Sequence, residues 1–256
     1  MKPNLTLAQL RQQLVAHCAP ARHAAARAAL GAPSLDARLG GGLVLAALHE
    51  VFSGDEGDES AAAAFALMLA MRGCVVGKPI MWVREDRTER RCGRLYGPGL
   101  VELGLDPDHF FLVNAPDELS VLRAGADIVK CGAVGAVVIE PFGKARTLDL
   151  TATRRLSLAA AQSGVMALLL RVGAEPSASA AQTRWQVRAG PSRALEGNAP
   201  GITALRLSLL RHRAGLPAFD MDVEWDRDQQ TFTEPSLSRA VPAAPAFGAD
   251  QARRAA

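Results

Sequence analysis

The chain reads as an α/β protein, with a mostly parallel central sheet flanked by helices and finished by an antiparallel meander. Three observations carry this. Between Ser34 and Gly73 a glycine cluster, a short apolar strand, a polar loop and a helix start follow one another, which is a strand–loop–helix frame. Apolar runs of strand length then alternate with helix-length segments, the pattern of a parallel sheet buried on both faces. After residue 182 the pattern changes to alternating segments joined by Gly/Pro turns, as in a meander.

In order, Thr6 to about His17 carries Leu7, Leu10 and Leu14 at helical spacing, with Thr6 and Gln9 as a capping box. Residues 19–33, rich in Ala and Arg, read as a helical or flexible connector closed by Gly31 and Pro33. Ser60 to Met71 is an alanine-rich helix that stops at Gly73. Ile80–Val83, Phe110–Asn114, Val134–Glu140 and Val165–Arg171 are the strand candidates, with helices expected near 93–103, 117–131 and 152–163. Thr183–Ala189, Thr203–Arg211 and Phe219–Trp225 are the expected meander. Beyond Asp228 the Pro/Ala-rich sequence lacks apolar periodicity and reads as a disordered tail. The expected organisation is an N-terminal helical segment over 1–30, one core domain over 31–228 and a tail over 229–256.

Of the 256 residues, 49% are hydrophobic, which suffices for one domain of about 200 residues with short extensions. The longest apolar run, Ala61 to Met71, is too short to span a bilayer, and the N-terminus lacks a signal-peptide h-region. No membrane partner is expected. Cys18, Cys74, Cys92 and Cys131 are scattered without a CxxC or Cys/His cluster, so they read as free thiols in a reducing cytoplasm. The histidines (His17, His23, His49, His109, His212) have no metal or triad spacing, and Ser53, Ser120 and Ser157 sit in no nucleophile elbow.

The frame lacks the chemistry of a phosphate-binding loop. Such a loop needs inward-turned amides, a lysine for the phosphates and a hydroxyl for magnesium. Here Ser53 to Ser60 reads Ser-Gly-Asp-Glu-Gly-Asp-Glu-Ser, with Glu59 at the lysine position and only Ser60 fitting. Like charges at ~4 Å cost on the order of 1 kcal/mol each in water and several times more near a protein surface. Triphosphate is therefore repelled. The acidic loop can be a solvated turn capping the next helix, a dock for a basic partner, or a site of residual nucleotide or metal binding.

Two basic regions stand out. Arg84, Arg87, Arg90, Arg91 and Arg94 are interleaved with Glu85, Asp86 and Glu89, a mixed run expected to be solvated and self-paired. Arg184, Arg188, Arg193, Arg206, Arg211 and Arg213 are opposed in their span only by Glu196 and could contact phosphates or an acidic protein surface. Strand alternation puts Arg184, Gln186 and Arg188 on one face and Trp185 in the core. Asp220, Asp222, Glu224, Asp226 and Asp228 share a face of the last strand, which reads as an edge protected from aggregation.

Several stretches resemble a known family. Leu35-Asp36-x-x-Leu39-Gly40-Gly41-Gly42-Leu43, Glu50-Val51-Phe52, Gly77-Lys78-Pro79 and Leu103-Gly104-Leu105-Asp106 resemble the ATPase core of the RecA recombinases. Trp82-Val83-Arg84-Glu85-Asp86, Leu95-Tyr96-Gly97-Pro98-Gly99-Leu100, Gly135 to Glu140, Leu148 to Leu156 and Ala180 to Trp185 resemble its ImuA branch. That branch comprises RecA-like accessory proteins of bacterial error-prone translesion synthesis. The resemblance covers about residues 30–228.

It implies a RecA-like core, induction in the SOS response to DNA damage, and a cytoplasmic, nucleoid-associated protein. The implied partners are ImuB, an inactive Y-family-like polymerase homologue, together with RecA and, indirectly, an error-prone replicative-type polymerase. DNA is at most a weak partner, since Gly173–Gln182, at the position of a RecA DNA loop, carries one acid and no base. Carried over, the nucleotide-site positions are Ser53, Asp58 (last loop glycine), Glu59 (lysine), Ser60 (hydroxyl), Glu140 (magnesium-side acid) and Asp86 (water-activating acid). Two acids without the phosphate clamp do not make an ATPase. The expectation is a non-catalytic adaptor of the mutagenesis machinery without a cofactor. The alternatives are a regulator of RecA filaments or another damage-response target such as the division machinery, and a weak NTPase with a rearranged loop.

Overall fold

A computed structural model describes residues 26–192 and 201–235. The N-terminal helix expected at Thr6–His17, Arg193, and the tail beyond 235 lie outside the described residues. The strands are β1 (Arg27–Ala28), β2 (Leu43–Val44), β3 (Leu48–Ser53), β4 (Ile80–Glu85), β5 (Phe110–Ala115), β6 (Ala136–Glu140), β7 (Met166–Arg171), β8 (Thr183–Ala189), β9 (Ala204–His212), β10 (Phe219–Asp226) and β11 (Thr231–Thr233). The helices are α1 (Pro33–Arg38), α2 (Glu59–Gly73), α3 (Asp86–Cys92), α4 (Gly97–Glu102), α5 (Glu118–Val129) and α6 (Leu150–Ser163).

Nine strands form one sheet in the order β11-β10-β9-β8-β3-β7-β6-β4-β5. From β5 to β8 every neighbouring pair is parallel, and from β8 to β11 every pair is antiparallel. The mixed α/β class and the closing meander are as expected, with one difference. Thr183–Ala189, expected as the first meander strand, runs parallel to β3, so the antiparallel part starts at β9. Apolar alternation records which face a residue takes and carries no strand direction.

Because β7 has helices over both faces, all six of its residues are buried. Its even positions, Met166, Leu168 and Leu170, join Val51, Phe65, Trp82 and Trp185 beneath α2. Its odd positions, Ala167 and Leu169, join Val83, Val121, Ile139 and Leu156 beneath α5 and α6. α5 approaches the sheet closely through Gly125, where an added Cβ would stand 2.7 Å from Ile139 Cδ1. Asp117 and Asp149 cap α5 and α6 by accepting hydrogen bonds from the amides of Ser120 and Ala152, at 2.8 and 2.7 Å.

Other differences follow from elements too short to show a period. The connector at 19–33 includes β1, which pairs with β2. The turn between α1 and β2 requires glycine at 42, where φ is +106° and a Cβ would lie 2.3 Å from the Ala28 carbonyl oxygen. The helix expected near 93–103 is confined to α4, Gly97–Glu102, and a separate helix, α3, that was not expected forms before it on the mixed-charge run. The sheet continues past residue 228, because β11 pairs with β10 and the Ser34 amide and hydroxyl both donate to Glu234. The acidic β10 is therefore flanked on both sides and is not an edge. Among the described residues no helix is long and apolar enough to cross a membrane.

Candidate functional site

The carboxyl ends of β3, β4, β6 and β7 converge around the loop Gly54–Asp58 and the start of α2. Four of the five loop amides, all but that of Glu56, are occupied by the chain's own acceptors. Gly54 N–H donates to the Val187 carbonyl at 2.8 Å and Asp58 N–H to the Asp55 carbonyl at 3.2 Å. Asp55 N–H donates to Asp58 Oδ2 and Gly57 N–H to Glu59 Oε2, both at 2.9 Å. Asp58 Oδ1 also accepts from Ala189 N–H at 2.9 Å, and Asp55 pairs with Arg188 at 2.9 Å.

These contacts change the role expected of the acids. Asp58 makes no side-chain cap on α2; its carboxylate binds the loop back to itself and across to the end of β8. Glu59 folds over the amide of Gly57, so a carboxylate is held where a phosphate-binding loop would hold a phosphate oxygen. Ser53, at the end of β3, is half-buried, whereas Ser60 is exposed at the first turn of α2.

Glu140 ends β6 on the α2 face and is 1% exposed. It accepts from Trp82 Nε1–H at 2.7 Å and pairs with Arg84 Nε at 3.0 Å. The register explains the trio: Trp82 and Arg84 stand opposite Val138 and Glu140 on adjacent parallel strands. Burial pushes the Glu140 carboxyl up to about 7, against the Arg84 guanidinium and the Trp82 N–H, which favour the charged form. Replacing Arg84 with methionine is expected to move this titration above 7. Carboxyl carbon NMR across pH 5–9 checks it, and an unchanged or lower midpoint would show that Arg84 is not its counter-ion.

Trp82, Arg84 and Glu140 line a cleft of about 230 Å³ beneath α2 and the 92–103 segment. A second cleft of about 410 Å³ lies between the loop and Phe142, Val172 and Gly173. Glu59, Ser60 and Cys92 border both. Burial raises the Cys92 thiol pKa, and Glu59 and Glu140 add to this.

Asp86 opens α3 and is half-buried, while the neighbouring Glu85 is the buried acid and accepts from Phe142 N–H at 2.9 Å. Parity decides this: Glu85 follows Val83 to the α5 face, opposite Arg84. Arg84 also departs from the expected solvated run, since its side chain is 5% exposed and Nη1 donates to the Gly93 carbonyl at 2.7 Å. Elsewhere in that run Arg94 pairs with Glu89 at 2.7 Å and Arg87 covers the Phe142 ring.

The expected arginine row is largely committed within the protein. Arg184 is 11% exposed and pairs with Glu50 at 2.9 Å. Arg188 is held by Asp55, and Arg206 makes a two-point pair with Asp222 at 2.8 and 3.1 Å. Arg211 and Arg213 donate to the carbonyls of Ser179 and Ala180. Trp185 is fully buried, as the alternation expects, and donates from Nε1 to Thr183 Oγ1.

The residues that sequence reasoning missed are Trp82, Glu50 and Arg171. The last two form a buried charged group with Arg184. Their only signal was an acid and a base inside otherwise apolar strands, where unpaired charge is costly. Among the described residues no three His, Cys, Asp or Glu side chains are grouped to hold a metal ion. No family model matches this chain, and a search of curated proteins finds no match for it.

Proposed function

We propose that this protein is a non-catalytic, RecA-like adaptor of the ImuA type, which joins an ImuB-like polymerase homologue to RecA or damaged DNA during damage-induced translesion synthesis. The observation that carries the non-catalytic part is the self-filled loop. Asp58 and Glu59 accept from the loop amides of Asp55 and Gly57, so a nucleotide would have to displace two carboxylates and then meet their charge. The partners come from the sequence resemblance.

An open sheet edge favours a role in protein contact. β5 ends the sheet, and its sequence Phe-Phe-Leu-Val-Asn-Ala has no charge or proline, with Phe111 51% and Leu112 42% exposed. Edges left so uncovered pair readily with another chain. β11, at the opposite edge, has three residues.

Calorimetric titration with ATP·Mg tests the first part. No saturable binding is expected up to millimolar nucleotide. Saturable binding lost on Glu140→Ala would replace this reading with a nucleotide-dependent one. A pull-down with purified ImuB homologue and RecA, without ATP, tests the second part, and failure to capture either removes the adaptor.

A further inference from the structure

We propose that the buried pair Arg171 and Arg184 binds a small oxyanion of the phosphate or sulfate type. Glu50, Arg171 and Arg184 come from the adjacent strands β3, β7 and β8 and share the α6 face of the sheet, with Arg171 at the carboxyl end of β7 and Arg184 near the start of β8. Arg184 Nε lies 2.9 Å and Arg171 Nη1 3.6 Å from the Glu50 carboxylate. Both guanidinium groups stack on one ring, that of Phe52, at 5.7 and 5.4 Å.

One carboxylate thus serves two cations in an interior where Glu50 is 1%, Arg171 2% and Arg184 11% exposed. A surplus positive charge in such a place is costly unless an anion meets it. Two donors support the same reading: among the described residues, Arg171 Nε and Arg184 Nη2 are buried without an acceptor. The remaining Arg171 bond is a 3.3 Å contact to the Lys144 carbonyl. Glu118 also acts on Arg171, more weakly than Glu50, but its carboxylate accepts from the amides of Arg146 and Thr147 and the Thr147 hydroxyl, so it offsets part of the charge without serving as an acceptor for the unmet Arg171 donor.

An oxyanion supplies both missing terms, a negative charge and several acceptors for guanidinium N–H groups. The burial limits its size. Only the exposed part of Arg184 offers an approach, and residues 173–182 are held by Arg211 and Arg213 at the Ser179 and Ala180 carbonyls. A polymer backbone does not fit beside an Arg171 that is 2% exposed, so the proposed ligand is an ion of phosphate size that enters beside Arg184.

Equilibrium dialysis and thermal melts with inorganic phosphate and sulfate, at constant ionic strength, test this on the full chain. Wild type is expected to bind about one ion saturably and to melt roughly 3–6 °C higher at tenfold excess over Kd. Arg184→Gln leaves a one-to-one Glu50–Arg171 pair and is expected to weaken binding about tenfold or more. Arg171→Lys keeps the charge but removes the unmet Nε donor; it is also expected to bind more weakly and serves if Arg184→Gln fails to fold. Arg206→Gln, on the exposed face, is expected to behave as wild type. The proposal is overturned if wild type shows no saturable binding, if Arg184→Gln and wild type bind alike, or if only an unphosphorylated oligothymidylate, and not the free ions, gives the shift.

Discussion

Replacing Glu50 with glutamine is expected to lower the unfolding free energy by about 3–5 kcal/mol. The substitution preserves volume and removes the charge between Arg171 and Arg184, leaving two cations within the protein interior. For a domain near 200 residues each kcal/mol moves Tm by about 2–4 °C, so a fall of roughly 10 °C is expected. The exposed pair Arg206–Asp222 sets the contrast, because Arg206→Gln should cost no more than about 1 kcal/mol despite its two-point geometry. Urea unfolding at pH 7, in phosphate-free buffer, compares the two. A loss below about 1 kcal/mol for Glu50→Gln would mean that water reaches the guanidinium groups far better than 2% exposure of Arg171 implies.

Acid should also destabilise the protein through His49. This side chain is fully buried, and burial lowers its pKa to about 4, with His212 adding to the effect and the Val44 carbonyl opposing it. A directional chain accounts for the neutral ring. Trp185 Nε1–H donates to Thr183 Oγ1 at 2.8 Å, which leaves the Thr183 hydroxyl hydrogen for His49 Nδ1 at 2.7 Å, and His49 Nε2–H then donates to the Val44 carbonyl at 2.9 Å. A second proton on Nδ1 would face a donor.

Above pH 6.5 the ring is neutral in both folded and unfolded chains, so its full contribution is present. As pH falls from 6.5 to about 4, the unfolded chain takes up a proton that the folded chain refuses. At about 1.4 kcal/mol per pH unit, this removes on the order of 3 kcal/mol. Unfolding free energies measured at pH 7.5 and 4.5 should therefore diverge more in wild type than in His49→Gln. Equal pH slopes would show that His49 titrates normally and that its burial is relieved by local opening.

Much of the sheet was legible because burial on two faces leaves long apolar runs. β4, β5, β6, β7, β9 and β10 lie within a residue or two of their expected places, and so does α2, which is buried continuously from Phe65 to Ala70. The short elements were not legible. β1, β2 and β11 have two or three residues, too few to show a period, and β11 is held on one side by β10 and on the other by a hydrogen bond from the Phe232 amide to the distant Leu30 carbonyl.

The candidate site divides in the same way. That Glu59 and Asp58 stand where a phosphate loop needs lysine and glycine is visible in the sequence alone. Their carboxylates' occupation of the loop amides depends on how five residues turn, which local composition does not specify.

Sequence therefore established the α/β class, the order of strands and helices along the chain, and the acidic character of the loop, since each is written in local periodicity or residue type. Tertiary structure decided that β8 runs parallel to β3, that Arg84 and Glu140 meet in the interior, and that Glu50 is shared by Arg171 and Arg184. Glu50 precedes Arg171 and Arg184 by more than a hundred positions in sequence, and its strand lies between theirs in the sheet. Their energies come from burial and from each other's charge, and neither exists until the sheet has assembled.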